Sequence, residues 1–283
     1  MQKILVTGAT GFIGNYVVTE LLKQNHHVVA SSANAVKARS FSWYEKVDYI
    51  PFDLVQFDDT TDYYTFFGRP DIMIHLAWEG LPNYKSAFHY DVNLPRHFSF
   101  VSNMIRHGLP SVSVTGTCFE YGMQEGMLSE DMPPEPANAY ARAKDELRKM
   151  LEKMQQTIHF NFNWIRLFYM YGKGQNPNSL LSQLQKALDE KATTFNMSGG
   201  EQVRDYLSVE KVAEYIVKIS LQNKVSGIIN CCSGKPITVR QLAENFLQQQ
   251  NAQIQLNLGY YPYTDYEPMA FWGDVKKLQS LFN

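Results

Sequence analysis

The stretch Thr7-Gly8-Ala9-Thr10-Gly11-Phe12-Ile13-Gly14 joins a short apolar run, 4–7, to an amphipathic one, 13–24. Glycines spaced three apart permit a tight turn, close approach of backbone to a pyrophosphate, and close packing of the helix on the strand before it. The positive end of that helix faces the same place. Strand, turn and helix together predict a dinucleotide site built on Gly8, Thr10, Gly11, Phe12, Ile13 and Gly14. The spacing is Gly-x-x-Gly-x-x-Gly, a departure from the more familiar Gly-x-Gly-x-x-Gly.

More strand-length apolar runs follow at 28–31, 47–52, 72–76, 112–115 and 162–167, separated by amphipathic stretches such as 86–107 and 139–156. Parallel strands need crossover helices, so this alternation predicts an α/β fold with a doubly wound parallel sheet, of Rossmann type. After Tyr171-Gly172 the texture changes to loops around single helices at 180–189, 209–221 and 239–250, with a tyrosine-rich tail at 260–266 expected to be irregular but packed. The expected division is a dinucleotide-binding domain at 1–172 and, at 173–283, mainly a smaller substrate lobe capping the sheet's carboxyl edge, with segments free to return to the first domain.

A formal net charge of −2 gives no footprint for nucleic acid. No run approaches the roughly 18 apolar residues of a membrane span, and the first strand is far shorter than a signal-peptide core, so a cytoplasmic protein is expected. Cys118, Cys231 and Cys232 have neither metal-ligand spacing nor a disulfide framework, and read as reduced structural thiols with no metal site.

The cofactor is read at the end of the second strand. An acidic residue about twenty positions after the first glycine would hold a ribose with free hydroxyls. The sequence there is Val28-Val29-Ala30-Ser31-Ser32-Ala33-Asn34, with Lys37 and Arg39 following. Small hydroxyls at Ser31 and Ser32 near the cation of Arg39 suit a 2′-phosphate, which favours NADP(H); NAD(H) stays open, and Lys37 and Arg39 are equally readable as a solvated helix face.

Tyr140 and Lys144 are four apart at the start of a helical stretch, so phenol and ammonium share one face. A free phenol, pKa about 10, exchanges protons poorly at neutral pH, and a nearby cation stabilises its phenolate. The pair is a candidate acid–base centre.

Taken in order, the glycine turn, Asp53-Leu54, His75-Leu76-Ala77, Asn93, Thr115-Gly116-Thr117 through Tyr121-Gly122, Tyr140 and Lys144, Tyr171-Gly172 and Arg204-Asp205-Tyr206 resemble the extended short-chain dehydrogenase/reductase family of nucleotide-sugar epimerases, dehydratases and reductases. The resemblance spans nearly the whole chain. It implies that Asp53 and Leu54 meet the adenosine, that Leu76, Ala77, Trp78, Asn93, Thr115 and Phe168 line the cofactor, and that Thr117 is the catalytic hydroxyl. Arg204 would grip the substrate's diphosphate, with Asn178, Phe195 and Gln202 near the nucleotide and Tyr169 beside it. The helices at 86–107 and 139–156 would build a homodimer interface, for which Phe88, Phe98 and Phe100 offer more apolar surface than one helical face needs.

Family dehydratases follow the catalytic threonine with Asp-Glu, whereas here Cys118-Phe119 follow and Glu120 is one position late, which argues against elimination. The run through Tyr121-Gly122, with Trp78, Glu79 and Tyr84 facing the hexose, resembles reductases of the family that convert dTDP-4-dehydro-6-deoxy-D-glucose to dTDP-D-fucose for surface polysaccharides such as O-antigen. It also resembles synthases that reduce CDP-linked 4-keto-3,6-dideoxyhexoses. The implied reaction is NADPH-dependent 4-ketoreduction, with Thr117, Cys118, Phe119 and Glu120 lining the sugar. A 4-epimerase retaining NAD is the alternative, and a non-catalytic dinucleotide sensor a remote one.

Overall fold

The computed structural model describes residues 2–282. In chain order it runs β1 (Lys3–Thr7), α1 (Phe12–Lys23), β2 (His27–Ser32), α2 (Ala35–Ala38), β3 (Asp48–Pro51), α3 (Tyr63–Phe66), β4 (Ile72–His75), α4 (Leu94–Arg106), β5 (Ser111–Thr117), β6 (Gly126–Leu128), α5 (Ala139–Gln155), β7 (Asn161–Leu167), β8 (Tyr169–Tyr171), α6 (Leu180–Asp189), β9 (Thr194–Asn196), β10 (Val203–Ser208), α7 (Val209–Ser220), β11 (Gly227–Cys231), β12 (Pro236–Thr238), α8 (Val239–Gln249), β13 (Gln255–Asn257), β14 (Phe271–Gly273) and α9 (Lys276–Gln279).

Seven strands form one parallel sheet in the order β11-β7-β5-β4-β1-β2-β3. Strand order reverses between β1 and β4, and ligands of doubly wound sheets bind in the crevice at such a point. Thr7 and His75, register partners at the carboxyl ends of these strands, also bond through their side chains, Thr7 Oγ1 to His75 Nδ1 at 2.8 Å. β5 runs two residues further than the apolar pattern indicates and so carries Thr117 on its end.

Both faces of the sheet are covered. On one, α1 and α7 enclose Val17, Val18, Val212 and Ile216; on the other, α4 and α5 enclose Phe100, Met104, Leu147 and Leu151. The chain beyond 172 therefore contributes α7 and β11 to the sheet layer, while α6 and α8 pack around Leu184, Phe195 and Leu242 as a separate core.

Three expectations change. The stretch 86–107 is not one helix: a π-helical turn, His89–Asn93, precedes α4. Pro95 lacks the N–H that would bond to the carbonyl of Asp91, and its ring crowds that turn. Phe100 is no surplus apolar surface, because it packs against Phe52, Phe57, Tyr63 and Phe67. The 260–266 segment is irregular but largely exposed, with Tyr260 58% and Tyr261 53% accessible.

Candidate active site

A cleft of about 250 Å³ opens at the crevice, lined by Gly8, Thr10, Gly11, Ser31, Ser32, Asp53, Leu54, Leu76, Ala77 and Trp78, and also by Phe52, Glu79, His97 and Phe100. Gly8 adopts φ +70°, and a Cβ there would lie 2.8 Å from Ala77 N, so a side chain would fill the passage between β1 and β4. Gly11 caps α1 without a side chain, leaving the helix's first N–H groups for an anion. Phe12, Ile13 and Gly14 shape this turn from within the helix rather than lining the cleft; a Cβ on Gly14 would stand 2.2 Å from Gly8 O. Arg39 corrects the cation argument: it is exposed at the end of α2, and neither it nor Lys37 lines the cleft. At this corner Ser32 Oγ instead lies 2.9 Å from Tyr49 Oη.

Tyr140 and Lys144 both pack on Trp78, the Tyr140 ring centroid 6.1 Å and the Lys144 Nζ 3.9 Å from its ring centroid. Asn138 caps α5 by accepting from Ala141 N at 2.9 Å, and Tyr140 N donates to Tyr84 O at 3.0 Å, which ties the helix start to the loop after β4. Lys144 is 1% exposed; its Nζ donates to Thr115 O at 2.9 Å and lies 3.9 Å from the Trp78 ring centroid. Burial draws its pKa down to about 7, with Glu120 opposing. Burial also drives the Tyr140 phenol above its ordinary range, reinforced by Tyr84 and Glu120 and opposed by the Thr117 hydroxyl.

Trp78 is itself held by residues that the sequence patterns did not single out. Its Nε1 donates to His89 Nδ1 at 3.1 Å, His89 Nε2 faces Asn83 O at 3.0 Å, and the indole stacks on His97 at 4.6 Å. His97 Nδ1 lies 2.8 Å from His75 Nε2; burial lowers both pKa values, that of His75 to about 3, so both rings are neutral at physiological pH. Asn93 lies outside the cleft lining and donates from Nδ2 to Glu79 O at 2.9 Å, while its Oδ1 is buried without a protein partner. Three histidines at 75, 89 and 97 were the available signal, but only the fold brings them together.

A second cleft, lined by Tyr84, Tyr169, Met170, Asn178, Leu181 and Tyr206 among others, runs between the lobe and the sheet. At its inner end Tyr84 packs on Tyr140, Phe119 and Tyr266, with ring centroids 5.6, 5.1 and 6.2 Å away. Cys118 is 5% exposed beside them. Six expected contacts are corrected. Glu120 is completely buried, its carboxylate turned inward to Arg166 Nε at 2.7 Å and Trp164 Nε1 at 3.0 Å. Phe195 belongs to the lobe's core and Phe168 to a cluster with Tyr121, Leu128 and Phe271, both drawn inside by apolar packing. Arg204 is 1% exposed and committed to internal partners: Nη2 donates to Glu267 Oε2 at 2.9 Å and Nη1 to Val203 O and Met269 O. Glu267 Oε2 also accepts from Tyr169 Oη at 2.6 Å. Gln202 lies outside this cleft, its carbonyl accepting from Val239 N at 2.9 Å; Glu79 lines the dinucleotide cleft and pairs with Arg96 at 3.3 Å.

Among the described residues no cluster of His, Cys, Asp or Glu is placed to hold a metal ion, and no helix is long and apolar enough to cross a membrane.

Comparison with known proteins gives this geometry a context. The dTDP-6-deoxy-L-talose 4-dehydrogenase (NAD(+)) of Aggregatibacter actinomycetemcomitans is 32% identical over 273 residues, covering 96% of this chain and 99% of the relative. A UDP-glucose 4-epimerase of Neisseria meningitidis serogroup B is 27% identical over 87% of this chain and 82% of its own length. The structure of UDP-N-acetylglucosamine 4-epimerase from Methanobrevibacter ruminantium M1, in complex with UDP-N-acetylmuramic acid, matches with a TM-score of 0.86 at 21% identity, covering 99% of this chain and 91% of that one, a likeness of fold. The model of the NAD dependent epimerase/dehydratase family matches residues 4–232, and the chain belongs to that family.

Proposed function

We propose that this protein moves a hydride between a nicotinamide dinucleotide and C4 of a nucleotide-linked 6-deoxyhexose, working as an NADPH-dependent reductase that converts dTDP-4-dehydro-6-deoxy-D-glucose to dTDP-D-fucose. The observation that carries this reading is the turn after Thr117. Cys118 and Phe119 stand where elimination would need carboxyls, and the one acid nearby, Glu120, is sealed beneath the sheet's edge. What remains is one proton-transfer centre, Tyr140 with Lys144, which suits hydride transfer to or from a carbonyl. The relative acting at C4 of a dTDP-linked 6-deoxyhexose supports both the position and the nucleotide. Its cofactor is NAD(+), so it does not support NADP, and that preference rests on the absence of an acid at Ser31-Ser32.

The glycine turn, the uncapped start of α1 and Asp53 would hold the dinucleotide, whose nicotinamide supplies the hydride when bound. Tyr140 gives its proton to the oxygen at C4 as that oxygen becomes an alkoxide; burial keeps the phenol protonated until then, and the Lys144 ammonium on the same helix face stabilises the phenolate left behind. Thr117 hydrogen-bonds the same oxygen and aligns it. Lys144 would hold the dinucleotide's nicotinamide ribose with its ammonium. Phe119, Tyr84 and Tyr266 exclude water from the sugar.

The test is consumption of reduced cofactor when the protein meets dTDP-4-dehydro-6-deoxyglucose with NADPH and, separately, NADH. Rapid NADPH oxidation, with the product assigned by NMR, is the expected result. A second reading, 4-epimerisation with retained NAD, is favoured by the epimerase relative; it predicts no net cofactor oxidation and interconversion of C4 epimers by protein as purified.

A further inference from the structure

Behind the catalytic threonine lies a charge that the proposed reaction leaves unused. Glu120 forms a capping box with Thr117: its Oε1 accepts from Thr117 N at 2.9 Å, while the Thr117 hydroxyl accepts from Phe119 N at 3.3 Å. Trp164 Nε1 lies 3.0 Å from both carboxylate oxygens, and Arg166 Nε lies 2.7 Å from Oε2. Every one of these neighbours is a donor. A protonated carboxyl would face its own hydrogen against another, so the arrangement selects the carboxylate even though burial pushes the pKa of Glu120 up.

The carboxylate is close to the reacting groups through a single strand end. Lys144 Nζ bonds Thr115 O, Glu120 Oε1 bonds Thr117 N, and the residue between is Gly116, on which a Cβ would lie 2.5 Å from Glu120 Oε1 and 2.2 Å from Trp164 Nε1. Arg166 is fully enclosed, stacked 4.4 Å from the Tyr121 ring, and its Nη1 and Nη2 have no protein partner.

We propose that Glu120 is a positioning residue for hydride transfer, fixing the Thr117 backbone from beneath and presenting, across Gly116, the negative charge that keeps the Lys144 ammonium in place. The proposal rests on the acid–base roles of Tyr140 and Lys144 given above. Other groups facing Lys144 are His75 from β4, and His89 and His97 from the segment leading into and through α4; Tyr140 lies one turn before it on its own helix. The histidines are neutral, which leaves Glu120 as the anion that opposes the effect of burial on Lys144. Facing Glu120, besides Lys144, are Arg166 from β7, Cys118 from its own turn and Tyr140 from α5.

Glu120→Gln retains an acceptor for Thr117 N and removes the charge. The expected result is an acidward move of about one unit in the falling limb of the kcat/KM profile for keto-sugar reduction, with kcat at neutral pH down about tenfold and KM for the sugar within about threefold. Because this variant strands Arg166, Glu120→Gln/Arg166→Met is made alongside it and is expected to fold while retaining the shifted profile. Wild-type kcat and pH dependence in the double variant would overturn the proposal and make Glu120 only a partner for Arg166. Titration of the Lys144 Nζ by NMR, assigned with Lys144→Arg, needs no turnover. An acidward shift in the double variant supports the role of Glu120 even if keto-sugar reduction fails, and an unchanged titration overturns it.

Discussion

The Trp78 indole lies with its ring centroid 3.9 Å from Lys144 Nζ while its own N–H is held by His89 at 3.1 Å, so one side chain walls the dinucleotide cleft and shields the buried ammonium. A desolvated cation over an aromatic face gains on the order of 2 kcal/mol, more than a tenfold effect on an equilibrium. Trp78→Leu is therefore expected to lower the Lys144 pKa further, moving the falling limb of the kcat/KM profile acidward and reducing kcat/KM at neutral pH by about tenfold. Trp78→Phe, which keeps a ring and loses the bond to His89, should fall between. An unchanged profile in the leucine variant would show that the contact is packing alone.

Tyr140 is 7% exposed, and its phenol is the acid on which the proposed reaction depends. Removing only the hydroxyl, in Tyr140→Phe, is expected to lower kcat by about 10²–10⁴ and to leave dinucleotide affinity within about threefold. Single-turnover rates with dTDP-4-dehydro-6-deoxyglucose and a separate cofactor titration measure the two effects. Retained turnover would remove Tyr140 from the mechanism.

The parts of this site that were legible in the sequence are those set by local pattern. Gly8, Gly11 and Gly14 at one strand–helix junction, and Tyr140 and Lys144 four apart on one helix, need only the neighbouring chain to define them. The strands of the sheet's interior were readable because residues buried on both faces form continuous apolar runs. What escaped was set by contacts far apart in sequence. Arg204 finds Glu267 63 residues away, and Glu120 finds Arg166 46 residues away; in each case a charge that looked available for substrate is consumed inside the fold. The break before α4 was nearer to hand: Pro95 sits inside the helical pattern and is incompatible with an unbroken helix from 86.

Burying Lys144 carries a stability cost whose pH dependence has a definite sign. Its folded pKa of about 7 lies below the roughly 10.4 of an unfolded lysine, so between these values the unfolded chain binds more protons and native stability rises with pH. Below pH 7 both states are charged and the full cost is present. Lys144→Met is accordingly expected to raise stability by about 1–3 kcal/mol at pH 6, with the gain shrinking as pH rises through 7 towards 10. Urea unfolding of both proteins at pH 6 and 9 measures it. A gain that grows with pH would contradict the assigned shift.

Ser32 lines the dinucleotide cleft where an acid would select against a 2′-phosphate, while Arg39 stands outside it. In Ser32→Asp a carboxylate would repel that phosphate and accept from a free ribose hydroxyl. The ratio of kcat/KM for NADPH over NADH is expected to fall by about 10²-fold or more, since like charges brought together cost several kcal/mol. A wild-type ratio already favouring NADH would reverse the cofactor assignment.

Arg204 can meet a substrate diphosphate only if Glu267 gives way, because that carboxylate holds the guanidinium at 2.9 Å and Tyr169 Oη at 2.6 Å. Removing one partner of a buried pair leaves an uncompensated charge and costs about 3–5 kcal/mol. Glu267→Ala should therefore melt well below wild type in the absence of nucleotide. An added diphosphate can then supply the missing negative charge to Arg204 without displacing a carboxylate. The increase in Tm on adding dTDP is expected to be larger in Glu267→Ala than in wild type, and to lose that excess in Glu267→Ala/Arg204→Met. If the increase is equal in all three proteins, the diphosphate binds away from Arg204, and the buried pair with Glu267 serves only to pin the 260–267 segment against β10.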